Sequence, residues 1–257
     1  MNFKNAIVRT PGSNFSLGLT SANLGAPDYI KALEQHAAYC SALQNCGLNL
    51  TILEPDLEYP DSTFVEDTAV LTPGTAILTC PGAASRIGEV AVIQLQLQHF
   101  YHRFYQITPP GSLEGGDICQ AGSHFFIGLS DRTNEEGTRQ LAEFLAKEGY
   151  TYSIIDIRDI QGILHLKSGL AYLGDQTLII IESLKDHPAF KGYQTILMDS
   201  EEDYAANCIL INDAVLLAKG YPKFKARLEA LGFRTIPLDI SEIQKMDGGL
   251  SCLSLRF

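Results

Sequence analysis

Long apolar runs are missing from this 257-residue sequence, and none reaches the roughly 18 residues needed to cross a membrane. The first five residues also lack the basic region and longer apolar stretch that mark a signal peptide. These two absences predict a cytoplasmic protein with no membrane partner.

Runs of lysine or arginine are absent as well, and the net charge is -11. A chain with this charge is not expected to bind nucleic acid or anionic lipid, because both partners are recognised mainly through clustered positive charge. A small cationic substrate remains compatible with it, since an acidic cleft attracts cations.

Cysteine pairs with the CxxC spacing of metal sites do not occur. A disulfide framework is not expected in a chain of this size, so we predict reduced thiols, no metal and no cofactor. At least one of these thiols can be reactive. The six cysteines are Cys40, Cys46, Cys80, Cys119, Cys208 and Cys252.

Glycine-rich or serine-rich linkers are also absent, which favours a single domain over residues 1–257. Within it, a unit of strand, hairpin, strand, helix and strand recurs at roughly 40–50 residues, the period of a repeat architecture. Four hairpin turns mark four copies, and the terminal segments complete a fifth. The turns lie at residues 72–74, 121–123, 174–175 and 212–213.

Two helices in the repeat have predicted starts and one copy is irregular. Ser85 is expected to open a helix that reaches about Tyr101, and Thr133 to cap a helix over residues 134–148. In the third copy, residues 186–193 have a poor helical pattern.

The C-terminal segment, residues 247–257, turns through two glycines and then presents Cys252. Gly248 and Gly249 allow positive φ and close backbone approach. The alternation that follows predicts a half-buried strand with Ser254 and Arg256 facing outward. Cys252 is then either a nucleophile held at the root of a strand or a packed apolar thiol. On this stretch alone the packed thiol is the better interpretation.

Polar residues precede the first hairpin strand of each copy. If the copies surround an axis, these positions converge and bring together a thiol, an imidazole and carboxylates. Such a set can attack a guanidinium carbon, because carboxylates bind the planar cation and histidine carries the proton. The positions are Asp61 with Glu66-Asp67, residues 114–117, residues 165–168, residues 204–207, and Asp247 leading to Cys252.

Each of these residues also has a purely structural interpretation. His165 lies among apolar neighbours and can be a buried, hydrogen-bonded histidine. Glu114 and Asp117 can be turn or capping groups, and Glu66 and Asp67 can be solvated. Arg86 and Arg132 can equally be ordinary cations at the surface or at a helix start.

The same motifs, taken together, resemble the dimethylarginine dimethylaminohydrolase family of the guanidino-modifying (amidinotransferase) superfamily. The resemblance covers nearly the full length. It is carried by residues 61–67, 81–86, 113–117, 128–134, 165–168 and 247–252.

The resemblance implies a five-bladed α/β propeller of pseudo-repeated ββαβ modules with the active site on the central axis. It implies a dimethylargininase, a hydrolase that converts Nω-methylated L-arginine to L-citrulline and methylamine or dimethylamine. The reaction would pass through a covalent S-alkylthiouronium intermediate on cysteine.

Site residues follow from the resemblance position by position. Cys252 matches the nucleophile, His165 the acid and base, and Glu114 the carboxylate that holds both the histidine and the guanidino group. The residues matched to substrate binding are Asp67 for the guanidinium, Glu66 in the same polar shell without a defined role, Arg86 and Arg132 for the carboxylate, and Asp61, Leu19 and Met246 around the α-amine. Leu19 lies in a loop that can act as a lid.

Alternative functions stay open at this point. A related guanidine hydrolase or deiminase acting on arginine or another guanidino compound fits the same residue types. A ribosome-binding factor shares the fold, which by itself does not determine function. Departures from the family pattern are small: Gly115 stands where some relatives have alanine, and Ser168 where some have threonine. Both a monomer and a homodimer are compatible with the sequence.

Overall fold

The computed structural model describes residues 2–257, which form two compact units. Unit 1 comprises residues 2–65 and 199–257, and unit 2 comprises residues 66–198. The single domain predicted over residues 1–257 stays a prediction. No helix in the described part of the chain combines the length and apolarity needed to cross a membrane.

Fifteen short strands form five three-stranded sheets. The strands are β1 (Asn5–Arg9), β2 (Asn49–Leu53), β3 (Ala69–Leu71), β4 (Ala76–Leu78), β5 (Phe104–Gln106), β6 (Ile118–Ala121), β7 (His124–Leu129), β8 (Thr151–Asp156), β9 (Leu170–Tyr172), β10 (Thr177–Ile180), β11 (Gln194–Leu197), β12 (Ile209–Ile211), β13 (Ala214–Ala218), β14 (Arg234–Leu238) and β15 (Leu255–Arg256).

Helices connect or follow these strands. The α-helices are α1 (Tyr29–Asn45), α2 (Glu89–Leu97), α3 (Glu135–Lys147), α4 (Leu166–Gly169), α5 (Pro222–Ala230) and α6 (Ser241–Gln244). The 3₁₀ segments are Phe15–Leu17, Val65–Thr68, Ala84–Arg86, Gly115–Asp117, Glu182–Leu184, Pro188–Phe190, Ser200–Ala206 and Ser251–Leu253.

One pairing rule holds in every sheet. The central strand pairs antiparallel with one neighbour and parallel with the other; the central strands are β1, β4, β7, β10 and β13. The antiparallel pair needs only a tight turn, whereas the parallel pair needs a crossover, which a helix supplies. The predicted repeat is therefore present in all five sheets, of which unit 1 contains two and unit 2 contains three.

The third copy is irregular, as its sequence predicts. The crossover from β10 to β11 contains two 3₁₀ segments, Glu182–Leu184 and Pro188–Phe190, where the other copies have an α-helix. Both helix starts were predicted wrongly. Helix α2 begins after Gly88, and Asn134 caps α3 by accepting the Gly137 N–H at 2.8 Å.

Each unit has its own apolar core. In unit 1, α1 buries Tyr39 and Leu43 against the sheets of β1 and β13. In unit 2, Phe125 and Ile127 of β7 pack with Leu141 and Leu145 of α3. The buried helix residues share one face, as the period of about 3.6 residues requires. The buried residues of β7 are two apart and share one face of the strand.

The C-terminal strand is anchored by polar contacts as well as by pairing. Strand β15 pairs antiparallel with β1, and Ser254 is completely buried, with its hydroxyl 2.6 Å from that of Tyr39. The expected outward position of Ser254 is therefore wrong. Arg256 donates from one nitrogen to the Ser251 carbonyl, the Ser254 carbonyl and the Ser254 hydroxyl, at 2.9, 2.9 and 2.8 Å.

Replacing Arg256 by methionine is expected to destabilise unit 1 while keeping most of the side-chain volume. The substitution removes the donor that meets the Ser251 and Ser254 carbonyls. A lost partner of this kind costs about 1–3 kcal/mol, so Tm should fall by about 3–8 °C in thermal unfolding. Arg158→Met, which removes an exposed ion pair, is the control and should change Tm by less than about 2 °C. An unchanged Tm for Arg256→Met would contradict the anchoring role.

Candidate active site

His165 and Glu114 form a buried ion pair in unit 2. His165 directly precedes α4, and Glu114 directly precedes the 3₁₀ segment Gly115–Asp117. The imidazole Nε2 lies 2.7 Å from Glu114 Oε2, and both side chains are buried. The buried histidine suggested by the sequence is therefore present, and its hydrogen-bond partner is the Glu114 carboxylate.

Protonation of this pair follows from its surroundings. Burial favours the neutral imidazole, but the charges of Asp67 and Asp117 and the hydrogen bond to Glu114 outweigh it and raise the pKa of His165 to about 9. Burial also favours neutral Glu114, but His165, Arg86 and Arg132 lower its pKa to about 2. At neutral pH the pair is an imidazolium and a carboxylate, so His165 holds a proton that it can donate.

Asp67 lies beside this pair and binds a guanidinium that belongs to the chain itself. Arg86 donates from one terminal nitrogen to Asp67 Oδ2 at 2.6 Å and from its other nitrogens to Glu89 at 2.8–3.2 Å. Asp67 Oδ1 accepts the Gly116 N–H at 2.9 Å. Asp67, predicted to hold the substrate guanidinium, and Arg86, predicted to hold its carboxylate, thus form an ion pair with each other.

Glu66 and Arg132 complete the predicted residues of unit 2. The buried Glu66 carboxylate pairs with Lys167 at 2.6 Å, a residue for which no role is predicted. Arg132 is more accessible than Arg86, and its nearest nitrogen lies 3.9 Å from Glu114 Oε1. Unit 2 therefore brings together Glu66, Asp67, Arg86, Glu114, Arg132 and His165.

The double glycine after Glu114 is required for close packing. A Cβ on Gly115 would lie 2.0 Å from the Glu66 carbonyl oxygen, and one on Gly116 would lie 2.7 Å from the His165 ring and 2.9 Å from Asp67 Oδ1. Real Cβ atoms do not approach so closely. The glycines let the backbone pass directly beneath the imidazole and the Asp67 carboxylate.

Asp67, Glu114 and His165 each direct one atom of metal-ligand type into the same small volume, within 4.8 Å of one another. Their charges are already matched, because Arg86 binds Asp67 and the His165 imidazolium binds Glu114. The arrangement is thus better suited to proton transfer and cation binding than to holding a metal ion.

Cys252 lies in unit 1, inside the 3₁₀ segment Ser251–Leu253, and is partly exposed. Its sulfur is 3.4 Å from the Gly249 N–H, a donor that stabilises a thiolate. Neither Gly248 nor Gly249 uses the positive φ that glycine allows, which falls on Asp247 at +57°. The glycines are needed for space instead: a Cβ on Gly248 would meet the Phe64 ring at 2.4 Å, and one on Gly249 would meet Asn207 at 2.4 Å.

Asn207 holds the turn that carries Cys252. Its amide oxygen accepts the Ser251 N–H at 2.9 Å, and its amide nitrogen donates to Ser251 Oγ at 3.1 Å. Tyr204 donates its hydroxyl to the Gly248 carbonyl at 2.7 Å. The sequence marks residues 204–207 only as a polar cluster. These contacts show that Tyr204 and Asn207 hold the turn before Cys252.

The residues predicted around the α-amine lie together in unit 1. Both oxygens of the buried Asp61 carboxylate accept the Leu19 N–H, at 3.0 and 3.2 Å. A Cβ on Gly18 would lie 2.3 Å from Asp61 Oδ1 and 3.2 Å from Met246 Cε. Leu19, Asp61 and Met246 are therefore neighbours, as the resemblance implies.

A further buried carboxylate, Asp117, was named only as a possible turn or capping group. It is completely buried beside His165 and accepts three hydrogen bonds from two different segments of unit 2, residues 130–133 and Leu166. The sequence feature that points to Asp117 is its position at the end of the motif at residues 114–117. Its partners are distant in sequence and could not be read from that motif.

Comparison with known proteins identifies the family. The sequence model described as "N,N dimethylarginine dimethylhydrolase, eukaryotic" matches residues 28–254. The dimethylarginine dimethylaminohydrolase of Pseudomonas aeruginosa is 47% identical over 99% of this chain and 100% of its own length. The chain belongs to the dimethylarginine dimethylaminohydrolase family.

Further dimethylarginine dimethylaminohydrolases agree with this assignment. The enzyme of Streptomyces coelicolor is 33% identical over 100% of this chain and 98% of its own. A cysteine-to-serine mutant of the Pseudomonas aeruginosa enzyme complexed with citrulline superimposes with a TM-score of 0.97 at 46% identity and full coverage of both chains. A histidine-to-glycine variant, solved as an adduct with S-methyl-L-thiocitrulline, gives 0.96 at 46% identity over 99% of this chain and 100% of its own.

Three of the predictions made from the sequence are confirmed. They are the dimethylarginine dimethylaminohydrolase family, its activity as a dimethylargininase hydrolase, and the α/β-propeller fold class with five ββαβ modules. The N-terminal domain of the arginine dihydrolase ArgZ has a TM-score of 0.86 at 17% identity and shares the fold alone. The roles of individual site residues stay predictions.

Gly116→Ala is expected to impair dimethylargininase activity without unfolding the chain. The new methyl group would displace His165 and Asp67, and a shift of about 1 Å in a reacting group can cost about 10²-fold in rate. Activity should be compared with that of Gly74→Ala, since a Cβ on Gly74 meets nothing within 4 Å. The control should keep its rate within about twofold. Equal rates in both variants would contradict the close packing described for Gly116.

Proposed function

We propose that this chain hydrolyses Nω-methylated L-arginine, both asymmetric dimethylarginine and monomethylarginine, to L-citrulline and dimethylamine or methylamine. The observation that carries the proposal is the buried His165–Glu114 pair in a chain of this family. The pair supplies a protonated acid next to carboxylates that bind a cation. Solved relatives complexed with citrulline or joined to a thiocitrulline support the same chemistry.

The first half of the proposed reaction transfers the substrate carbon to sulfur. Asp67 and Glu114 bind the guanidinium, and the Cys252 thiolate adds to its central carbon. The bond from this carbon to the methylated nitrogen then breaks, and His165 gives its proton to that nitrogen, which leaves as the neutral amine. The product is an S-alkylthiouronium on Cys252 and a neutral His165.

The second half returns the enzyme to its starting state. Neutral His165 accepts a proton from water as the water oxygen adds to the thiouronium carbon. The carbon–sulfur bond breaks, the electron pair returns to Cys252, and the second proton of the attacking water passes to solvent as the ureido group of citrulline forms. One histidine serves as acid and then as base, as the two opposite proton transfers require.

Electrostatics favour this order of steps. With its pKa raised to about 9, His165 starts each turnover protonated at neutral pH. A bound guanidinium neutralises part of the negative charge of Asp67 and Glu114. This lowers the proton affinity of the imidazole and makes the transfer to the leaving amine easier.

The remaining predicted residues bind the amino-acid part of the substrate. Two arginines are proposed to bind the substrate carboxylate. Asp67 and Glu89 already bind Arg86, and Arg132 is the more accessible of the two. Asp61 is proposed to bind the α-amine together with the main-chain carbonyls of Leu19 and Met246. Glu66 belongs to the guanidinium side, where Lys167 balances its charge. A cytoplasmic location and a monomeric or homodimeric state stay predictions.

Incubation with asymmetric dimethylarginine should release citrulline and dimethylamine in equal amounts. Cys252→Ser should lower kcat by at least about 10³-fold, because the hydroxyl is a far weaker nucleophile. Cys119→Ser, which changes a buried thiol of unit 2, is the control for loss of a cysteine and should keep kcat within about threefold. Comparing kcat/KM for arginine, monomethylarginine and dimethylarginine then tests specificity. No citrulline from either methylated substrate would sink the proposal.

The pH dependence of kcat/KM should have a basic limb with an apparent pKa near 9, because the free enzyme must hold a proton on His165. Glu114 raises the pKa of His165, so removing its charge in Glu114→Gln should move this limb to lower pH. The position of the limb is read from initial rates measured from about pH 6 to about pH 10, a range that brackets the expected pKa. A limb that stays in place in Glu114→Gln would contradict the assignment to His165.

A further inference from the structure

Asp117 stands at the centre of a hydrogen-bonded cluster in unit 2, the Asp117 cluster, which consists of Asp117, Ser130 and Thr133. The carboxylate is completely buried. Its Oδ2 accepts the hydroxyls of Ser130 at 2.7 Å and Thr133 at 2.6 Å, and its Oδ1 accepts the Leu166 N–H at 3.0 Å. Three donors compensate in part for the lost hydration of a buried carboxylate.

The two hydroxyls have a defined direction. Ser130 Oγ accepts the backbone N–H groups of Arg132 at 3.0 Å and Thr133 at 3.1 Å, and Thr133 Oγ1 accepts the Glu114 N–H at 3.1 Å. Each hydroxyl has one proton, and that proton is directed at Asp117. Burial raises the pKa of Asp117, while the donors that converge on it favour its ionised form.

These chains of hydrogen bonds end on the backbone beside the predicted site residues. Glu114 is held through Thr133, Arg132 through Ser130, and His165 through its neighbour Leu166. The three segments are separated by many residues in sequence, so no local turn accounts for a shared carboxylate. A Cβ on Gly128 would lie 2.9 Å from Asp117 Oδ1, which shows how closely β7 packs against the cluster.

We propose that Asp117 is a positioning residue of the hydrolase: with Ser130 and Thr133 it sets the relative placement of His165, Glu114 and Arg132. The proposal rests on the function proposed above. Asp117 does not touch the substrate in this scheme and acts through the backbone and through its charge.

The negative charge of Asp117 acts on the pKa of His165, an effect that a purely packing role would not have. The carboxylates whose charges act on His165 are those of Asp67, Glu114 and Asp117. Arg86 binds Asp67, and Arg132 lies near Glu114, whereas hydroxyls and a backbone N–H meet Asp117. Neutralising Asp117 should therefore make the imidazole less basic as well as loosen its position.

Asp117→Asn is the first test, with two readouts. The titration of the His165 ring is followed by NMR in the substrate-free protein, and kcat and KM for dimethylarginine are measured across pH. We expect the titration and the basic limb to move to lower pH, and kcat to fall at least about tenfold with a smaller change in KM. An unchanged titration, with kcat within about twofold, would overturn the proposal.

The second test keeps the carboxylate and changes one of its donors. Thr133→Ser retains the hydroxyl and should keep kcat within about threefold, whereas Thr133→Val removes it and should lower kcat at least about tenfold. Thr72→Val is the matched control, because Thr72 is buried in the β3–β4 turn of the same unit and bonds only locally to the Thr75 carbonyl. It should leave kcat and the pH profile unchanged.

These readouts separate the two proposals. If the native protein forms no citrulline, the proposed function fails, but the NMR titration still tests Asp117. If Asp117→Asn does not fold, the Thr133 pair decides the question. Equal rates in Thr133→Ser and Thr133→Val would then refute the positioning role.

Discussion

The buried pair of the His165 imidazolium and the Glu114 carboxylate is the interaction on which the rest of unit 2 depends. Burying a charge is costly unless another charge or several donors meet it, and this requirement shapes the surroundings. Glu66 meets Lys167, Asp67 and Glu89 share Arg86, and Asp117 meets two hydroxyls and a backbone N–H. The excess of carboxylates around His165 keeps its proton bound, which makes it an acid at neutral pH.

Backbone placement supports this charge arrangement. Gly115 and Gly116 allow the chain to pass beneath the imidazole, and Asp117, next along the chain, receives the hydrogen bonds that hold the surrounding segments. Unit 1 positions Cys252, the proposed nucleophile, in a comparable way. Asn207 holds both the backbone and the side chain of Ser251, and Gly249 leaves the space that Asn207 occupies. In each unit a short 3₁₀ segment carries residues of the proposed site, and side chains from elsewhere in the sequence hold it.

The repeat explains how a short chain supports such segments. Each sheet combines a tight antiparallel pair with a parallel pair closed by a crossover, so every copy begins with a polar segment leading into its first hairpin strand. The third copy shows that the crossover tolerates variation, because two 3₁₀ turns replace its helix without changing the strand pairing. The proposed site residues are therefore concentrated at positions where the backbone is least regular, and the sheets supply rigidity.

The sequence by itself determined the repeat, the turns and the chemical inventory, because hairpin residues and apolar periodicity act over a few neighbouring positions. It also contained the motifs that identify the family and the residue types at the candidate site. Only the tertiary structure decided which groups meet. Thr133 was expected to cap a helix but donates to Asp117, Ser254 was expected outside but is buried against Tyr39, and Asp247 rather than either glycine has positive φ. Each of these outcomes depends on partners far away in the sequence, and local propensity contains no information about such partners.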